Sequence, residues 1–299
     1  MTSGEPASDA LSAERPRLLD IALRILGSIA EADRAVERTF TLWREAPAAE
    51  RDAGVSLRDQ LTEILARTCV DALRQARLDR GQYVGDWLPE PLPHLGAPRT
   101  PGGTDPVDRI SLDESLNMLL LVVLESLTPE ARVAFILHDV FGVPFGGIAD
   151  VVGRSPEATR ELARSARREI HHRREHDAPG ERHRALVLDF LAGCAAQDEA
   201  QVRSRLHPDI AVIIDGGGKV SAAPSPTRGV EQAARLLIRV ISGVPALAVT
   251  EQSVNGQAGL VFRRDQRVVG VMSVSVRTGT IRDVWIVLNP DKLRHWNAD

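Results

Sequence analysis

Apolar residues recur at helical spacing through the first eighty positions. Leu18, Leu19, Ala22, Leu23, Ile25 and Leu26 mark one helix, and Gly27 falls where it should be disturbed. Ala32, Val36, Phe40 and Trp43 mark a second, and Leu57, Leu61, Ile64, Leu65, Cys69 and Leu73 a third. Between these two, PAAERDAG breaks the period and reads as a surface connection. From residue 81 to about 110 the pattern stops. This stretch holds YVGDWLPEPLP (Tyr83 to Pro93) and then HLGAPRTPGGTDPVD, whose Pro and Gly content predicts an extended linker.

Helical periodicity returns over residues 111–176, with sharper punctuation. In SLTPEARVAF, Thr128 can cap a helix and Pro129 can occupy its first turn; Ser155 and Pro156 repeat that arrangement in GRSPEATREL. Between them lie PFGGIADVV, a short helix, and a turn at Gly153. Short helix, glycine turn and capped helix make a helix-turn-helix. On its second helix Ala158, Leu162, Ala166 and Ile170 form the expected core face. Arg160, Glu161, Arg164, Arg167 and Arg168 form the exposed one. A basic face on that helix suits phosphate contacts and major-groove insertion; a solvated charge run on an ordinary hairpin is the plain alternative.

From about residue 181 the period changes again. ERHRALVLDFLAGCAAQD and DEAQVRSRL read as helices. The candidate strands AVIID, ALAVTEQSV, AGLVFRR, RVVGVMSVSV and IRDVWIVL follow, with GVEQAARLLIRVI as an intervening helix. Helices before a mostly antiparallel sheet predict an α+β domain.

Composition narrows the classes. A chain of 299 residues suits two or three domains, and 37 basic against 41 acidic side chains argue against wholesale attraction to nucleic acid while leaving room for a local basic surface. MLLLVVL (Met118 to Leu124) is too short to span a bilayer and reads as buried helix, and the small, polar start MTSGEPASDA lacks a secretory signal. A cytoplasmic protein without a membrane partner is expected. Cys69 and Cys194 sit in apolar helical contexts and read as buried thiols.

Candidate chemistry is sparse. DGGGKV (Asp215 to Val220) lacks phosphate-loop spacing and reads as a tight turn carrying Lys219. His207, Asp209 and Asp215 would need a cavity to bring them together as acid and base groups. His171, His172 and His176 accompany a basic helix end without a compatible ligand cluster. No catalytic, cofactor or metal residues are assigned. Arg67, Arg74, Arg77 and Arg80 form a second basic candidate at helical spacing.

In this order, the segments resemble a bacterial extracytoplasmic-function sigma factor of the group with a SnoaL-like C-terminal domain. The opening helices look like sigma region 2, and ESLNMLLLVVLESLTPEARVAFILHDVFGVPFGGIADVVGRSPEATRELARSARREI looks like region 4. YVGDWLPEPL resembles the family's YVGPWLPEPL linker motif, and DGGGKV, AAPSPTRG, NGQAG and NPDKLRH resemble landmarks of the accessory domain. The resemblance implies a multidomain fold: a helical region 2 at 11–80, a linker at 81–110, a helix-turn-helix region 4 at 111–176 and an α+β SnoaL-like (NTF2-like) cone at 181–299.

It also implies partners, core RNA polymerase and promoter DNA. Asp33, Glu37 and Phe40 match the polymerase-binding segment. Arg67, Asp71 and Arg74 match the helix near the promoter-melting and -10 surface, with Arg77 beyond them. Ser155, Thr159, Arg160, Arg164, Arg167 and Arg168 fall on the helix that reads the -35 element. Tyr83, Asp86, Trp87, Leu88, Asp215, Lys219, Asn289, Asp291 and Lys292 form an interdomain regulatory set, with Trp87 and Leu88 expected to dock on the C-terminal domain.

Departures from the family pattern separate the readings. Arg34 and Arg38 stand where acidic residues usually support polymerase binding, and Gln60 where an aromatic residue is common. LTPEAR replaces LTPxER, and Asp86 replaces the linker proline. The leading reading is promoter-specific initiation regulated by the C-terminal domain. The alternatives are a sigma-like DNA-binding regulator without productive polymerase binding, and a small-molecule isomerase or cyclase in the last domain.

Overall fold

The computed structural model describes residues 5–51, 54–80, 86–93, 117–174, 180–223 and 225–297. Tyr83, His176 and the HLGAPRTPGGTDPVD stretch lie outside the described residues. The chain divides into two compact units.

In the first unit, α1 (Glu5–Leu26) and α2 (Ile29–Glu45) meet at Gly27 and Ser28. Gly27 takes φ 73°, and its N–H closes on the Leu23 carbonyl at 2.8 Å. A side chain would resist that left-handed turn. Ser28 then caps α2, accepting from the Glu31 N–H at 3.4 Å. PAAERDAG contains one helical turn, α3 (Ala48–Arg51), where only a connection was expected. The long helix α4 (Leu57–Arg80) packs on α1 and α2. Leu18, Ile21, Ile25, Val36, Leu61 and Leu65 are fully buried. Each buried aliphatic side chain contributes about 1.5–3 kcal/mol.

The apolar MLLLVVL run opens α5 (Met118–Ser126). Thr128 caps α6 (Pro129–Phe135), accepting from the Ala131 N–H at 3.2 Å, and a π-helical turn (Ile136–Val140) follows. α7 (Phe145–Val152) ends on Gly153 at φ 67°, and Ser155 caps α8 (Pro156–Arg174) through the Ala158 N–H at 3.2 Å. This is the helix-turn-helix that the caps predicted. Its core face is rotated from the expected one. Thr159, Ala163, Ala166 and Ile170 are buried, whereas Ala158 is exposed and Leu162 half-buried. The reason lies in Thr159: its hydroxyl donates to the Ser155 carbonyl at 2.9 Å, so a polar residue is buried without an unmet donor.

The second unit contains the linker 86–93 and the elements from α9 onward. α9 (Gly180–Ala195) and α10 (Glu199–Ser204) precede β1 (Leu206–Asp215), β2 (Thr227–Arg228), α11 (Val230–Ser242), β3 (Ala248–Val254), β4 (Gln257–Arg264), β5 (Arg267–Arg277) and β6 (Thr280–Val287). The strands form one six-stranded sheet in the order β2-β1-β6-β5-β4-β3, antiparallel except for β1 with β6. β1 begins before AVIID, and the two-residue β2 has no periodic signal of its own. α9 lies against β4 and α11 against β1. The apolar interior includes Phe190, Val212, Ile214, Leu237, Phe262 and Ile286. This helix-backed sheet is the α+β architecture expected of the C-terminal domain.

Candidate functional site

The exposed face of α8 carries Arg160, Arg164, Arg167 and Arg168. Arg160 lies over the Phe145 ring, 5.4 Å from its centroid, and that ring stacks on His138 at 3.8 Å. The aromatic support restrains the guanidinium while leaving its outer edge to solvent. Arg164 and Arg168 share Glu161, at 2.6 and 3.0 Å. Exposed pairs of this kind exchange readily for other anions. Arg167 differs. Its Nε donates to the buried Asp139 carboxylate at 2.8 Å and its Nη2 reaches the same oxygen, so it ties α8 to the π-helical turn. Ser155 is exposed at the helix start, while Thr159 is fully buried with its hydroxyl used internally.

In the α1–α4 bundle, the candidate acidic pair is held from within. Arg15 of α1 donates to Asp33 at 3.2 Å and to Glu37. Phe40 is buried at 4% exposure, a core residue beneath that surface, whereas Arg34 and Arg38 are exposed. Gln60, the unexpected polar residue, accepts from the Trp43 indole at 2.9 Å and donates to the Arg51 and Val55 carbonyls at 2.8 and 3.0 Å. Its one amide both accepts and donates, and so fixes the α3 connection to α2 and α4.

On α4, Arg67 pairs with Glu63 at 2.5 Å. Arg74 reaches Glu130 of α6 at 2.6 Å, and Arg77 donates to the Leu127 carbonyl. Burial alone would raise the Glu130 carboxyl, but the Arg74 hydrogen bond, aided by the charge of Arg154, brings it below its ordinary range.

The linker meets the C-terminal domain in a second constellation. Gly217 and Gly218 adopt φ 61° and 69°, turning the chain sharply after β1. A Cβ on Gly216 would lie 2.0 Å from the Val220 carbonyl oxygen, and one on Gly217 would lie 2.3 Å from the Asn289 amide nitrogen. The turn frees the Asp215 carboxylate to face the linker. Asp215, fully buried, accepts the Leu88 N–H at 3.0 Å and the Gly217 N–H at 3.0 Å, and pairs with Lys292 at 2.7 Å.

Lys292 sits on a 3₁₀ turn (Pro290–Trp296) that Asn289 caps by accepting the Asp291 N–H at 3.0 Å. The threefold spacing of that turn puts Lys292 and His295 on one edge. The Lys292 ammonium also donates to the Leu88 carbonyl and lies 4.0 Å from the Trp87 ring centroid. His295 lies 3.6 Å from Glu90, and the Trp296 indole donates to the Pro91 carbonyl at 2.7 Å. Lys219 pairs with Asp291, and that contact first, then Arg294, holds the Asp291 carboxyl low. Asp86 lies beside the clasp, and burial with the charge of Asp215 raises its carboxyl.

Two further contacts come from residues outside the sequence-predicted set. Asn255, in the β3–β4 turn at φ 51°, accepts the Leu92 N–H at 3.2 Å and returns its own N–H to the Leu92 carbonyl at 2.9 Å. Trp296 is the other. The NGQAG and NPDKLRH landmarks contained or adjoined both, and an Asn-Gly turn was the available signal. The acid–base candidates do not converge: His207 accepts the Asp209 N–H at 3.1 Å near the start of β1, while Asp215 is committed to the linker at its other end. No metal-holding cluster of His, Cys, Asp or Glu occurs among the described residues. Both cysteines are buried and free, and burial pushes the Cys194 thiol up to about 12.

No protein-family model matches the chain. Individual relatives match over nearly its full length. The ECF RNA polymerase sigma factor SigJ of Mycobacterium tuberculosis is 33% identical across 93% of this chain and 90% of its own. This chain belongs to the extracytoplasmic-function sigma factor family. The probable ECF RNA polymerase sigma factor SigI of the same species is 30% identical, covering 100% of this chain and 99% of that one. The crystal structure of the M. tuberculosis SigJ superposes with a TM-score of 0.69 at 28% identity, over 97% of this chain and 98% of that one. The N-terminal all-helical region is consistent with sigma regions 2 and 4 together, and the C-terminal α+β domain has the SnoaL-like architecture. No helix among the described residues is long and apolar enough to cross a membrane.

Proposed function

We propose that this protein is a promoter-specific initiation factor whose C-terminal domain regulates it. Region 2 binds core RNA polymerase and the -10 element, and region 4 binds the -35 element. Polymerase performs the chemistry; this chain supplies recognition and geometry and is not itself an enzyme. The observation that carries the reading is the face of α8, where Arg160, Arg164 and Arg168 stand exposed on a capped second helix. Arginine at such a face can bond phosphates or guanine edges. Thr159 and Arg167 support the helix from beneath, through Ser155 and Asp139. The linker clasp of Asp215, Lys292, Trp87 and Leu88 is the proposed regulatory element, since it fixes the chain between regions 2 and 4 to the accessory domain.

The decisive experiment is reconstituted transcription with core polymerase and a promoter library. Transcripts that depend on both elements are expected. Neither core association nor transcript across conditions would sink this reading. The second reading, a DNA-binding regulator without productive polymerase binding, is favoured by Arg15 pairing with Asp33 and Glu37 beside Arg34 and Arg38. DNA binding without core association would select it.

A further inference from the structure

Region 2 and region 4 pack together within the first unit, α4 lying against α6 and α7. The polar contacts at this junction use the arginines that region 2 would present to DNA. Arg74 donates Nε and Nη2 to one Glu130 oxygen, at 3.2 and 2.6 Å. That edge of a guanidinium is also the one that grips a phosphate with two parallel bonds, so it cannot serve both at once. Arg77, one helical turn on, spends an Nη2 donor on the Leu127 carbonyl. Both contacts lie on one segment, Leu127 to Glu130, where α5 gives way to α6.

Beneath them is a buried charge that the closed packing satisfies only in part. Arg132 of α6 is 2% exposed and donates Nη1 to Glu125 at 2.5 Å. Its Nε and Nη2 are buried without a hydrogen-bond partner among the described residues. Arg132 belongs to α6, the helix that packs on α4. A buried guanidinium with unmet donors favours any state that wets it. The surface contacts hold the junction shut while the buried one favours opening.

We infer that Arg74–Glu130 and Arg77–Leu127 form an autoinhibitory latch, in which region 4 occupies the DNA-facing arginines of region 2 until the α4–α6 junction opens. The DNA-facing assignment rests on the function proposed above; the latch itself does not. DNA phosphates compete directly for Arg74 and Arg77, and opening wets Arg132.

The test uses the full chain with spin labels at Thr41→Cys and Glu157→Cys, exposed positions on α2 and α8, the two native cysteines being buried. Pulsed electron paramagnetic resonance should give one narrow distance distribution for the parent. Glu130→Gln should broaden it toward longer distances, and Arg77→Gln should do so independently. The pair Arg74→Glu with Glu130→Arg, which keeps the net charge, should restore the narrow distribution. Binding to a short mixed-sequence duplex should tighten about fivefold in Glu130→Gln, the scale of one exposed ion pair. Glu45→Gln, exposed on α2, controls for the lost charge. Far-UV dichroism confirms that each variant folds.

Distances unchanged in both Glu130→Gln and Arg77→Gln would overturn the latch. Longer distances without a gain in DNA affinity would overturn the autoinhibition. Failure of the transcription assay with latch distances behaving as expected would count against the initiation-factor reading alone.

Discussion

Lys292 gathers more of the linker's contacts than any single feature of its local sequence suggests. Its ammonium meets the Asp215 carboxylate, the Leu88 carbonyl and the face of Trp87, and its side chain is only 13% exposed. Asp215 is fully buried, so removing Lys292 takes an ammonium away from a carboxylate that water does not reach. Lys292→Ala should destabilise the C-terminal unit by about 3 kcal/mol, read from denaturant unfolding; Lys292→Arg should recover part of it. Asp86 works in the opposite direction. Its carboxyl is raised by burial and then by the charge of Asp215, so its ionised form is more costly in the folded chain. The associated stability is full below the ordinary carboxylate range and is lost as pH rises through the raised value. Asp86→Asn should therefore raise the melting temperature at neutral pH, with the difference vanishing in acid. An equal shift at both pH values would show that charge is not the cause.

Among the elements, α8 shows how two roles share one helix. Its inner stripe, Thr159, Ala163, Ala166 and Ile170, seats it, and Arg167 is drawn inward by Asp139. The outward arginines remain available. Arg164→Ala should weaken binding to a duplex containing the -35 element and reduce the salt slope by about one, with helix content unchanged. Arg167→Ala should instead loosen α8, seen as faster amide exchange along the helix. The 3₁₀ turn at Pro290–Trp296 is the corresponding element in the other unit, aligning Lys292 and His295 by its threefold spacing.

For the whole molecule, the proposed function turns on whether the α1–α4 bundle binds polymerase, and how strongly. The acidic pair Asp33 and Glu37 is present but engaged by Arg15, with Arg34 and Arg38 adding positive charge. Arg15→Ala should tighten association with core polymerase severalfold, chiefly through the on-rate and more at low salt. Unchanged affinity at every salt concentration would remove Asp33 and Glu37 from the binding surface. Transcription from a single promoter, measured in parallel, distinguishes stronger association from productive initiation.

The sequence by itself determined the helices, the helix-turn-helix and the α+β domain, because these follow from local causes. Thr128, Ser155 and their prolines set helix starts, Gly27 and Gly153 set turns, and apolar runs marked five of the six strands. The motifs also pointed to the linker and to Asp215, Asn289 and Lys292. Tertiary structure decided what each side chain does. Thr159 is core because a carbonyl one turn earlier takes its hydroxyl; Arg167 is a brace because Asp139 is buried beside it. Arg74, Arg77 and the Asp33–Glu37 pair look free along the chain and are engaged in space. Asn255 and Trp296 join the linker from positions more than 160 residues away in sequence. Helical period identifies a face; it does not identify the partner that the face will meet, since that depends on contacts between segments the chain keeps far apart.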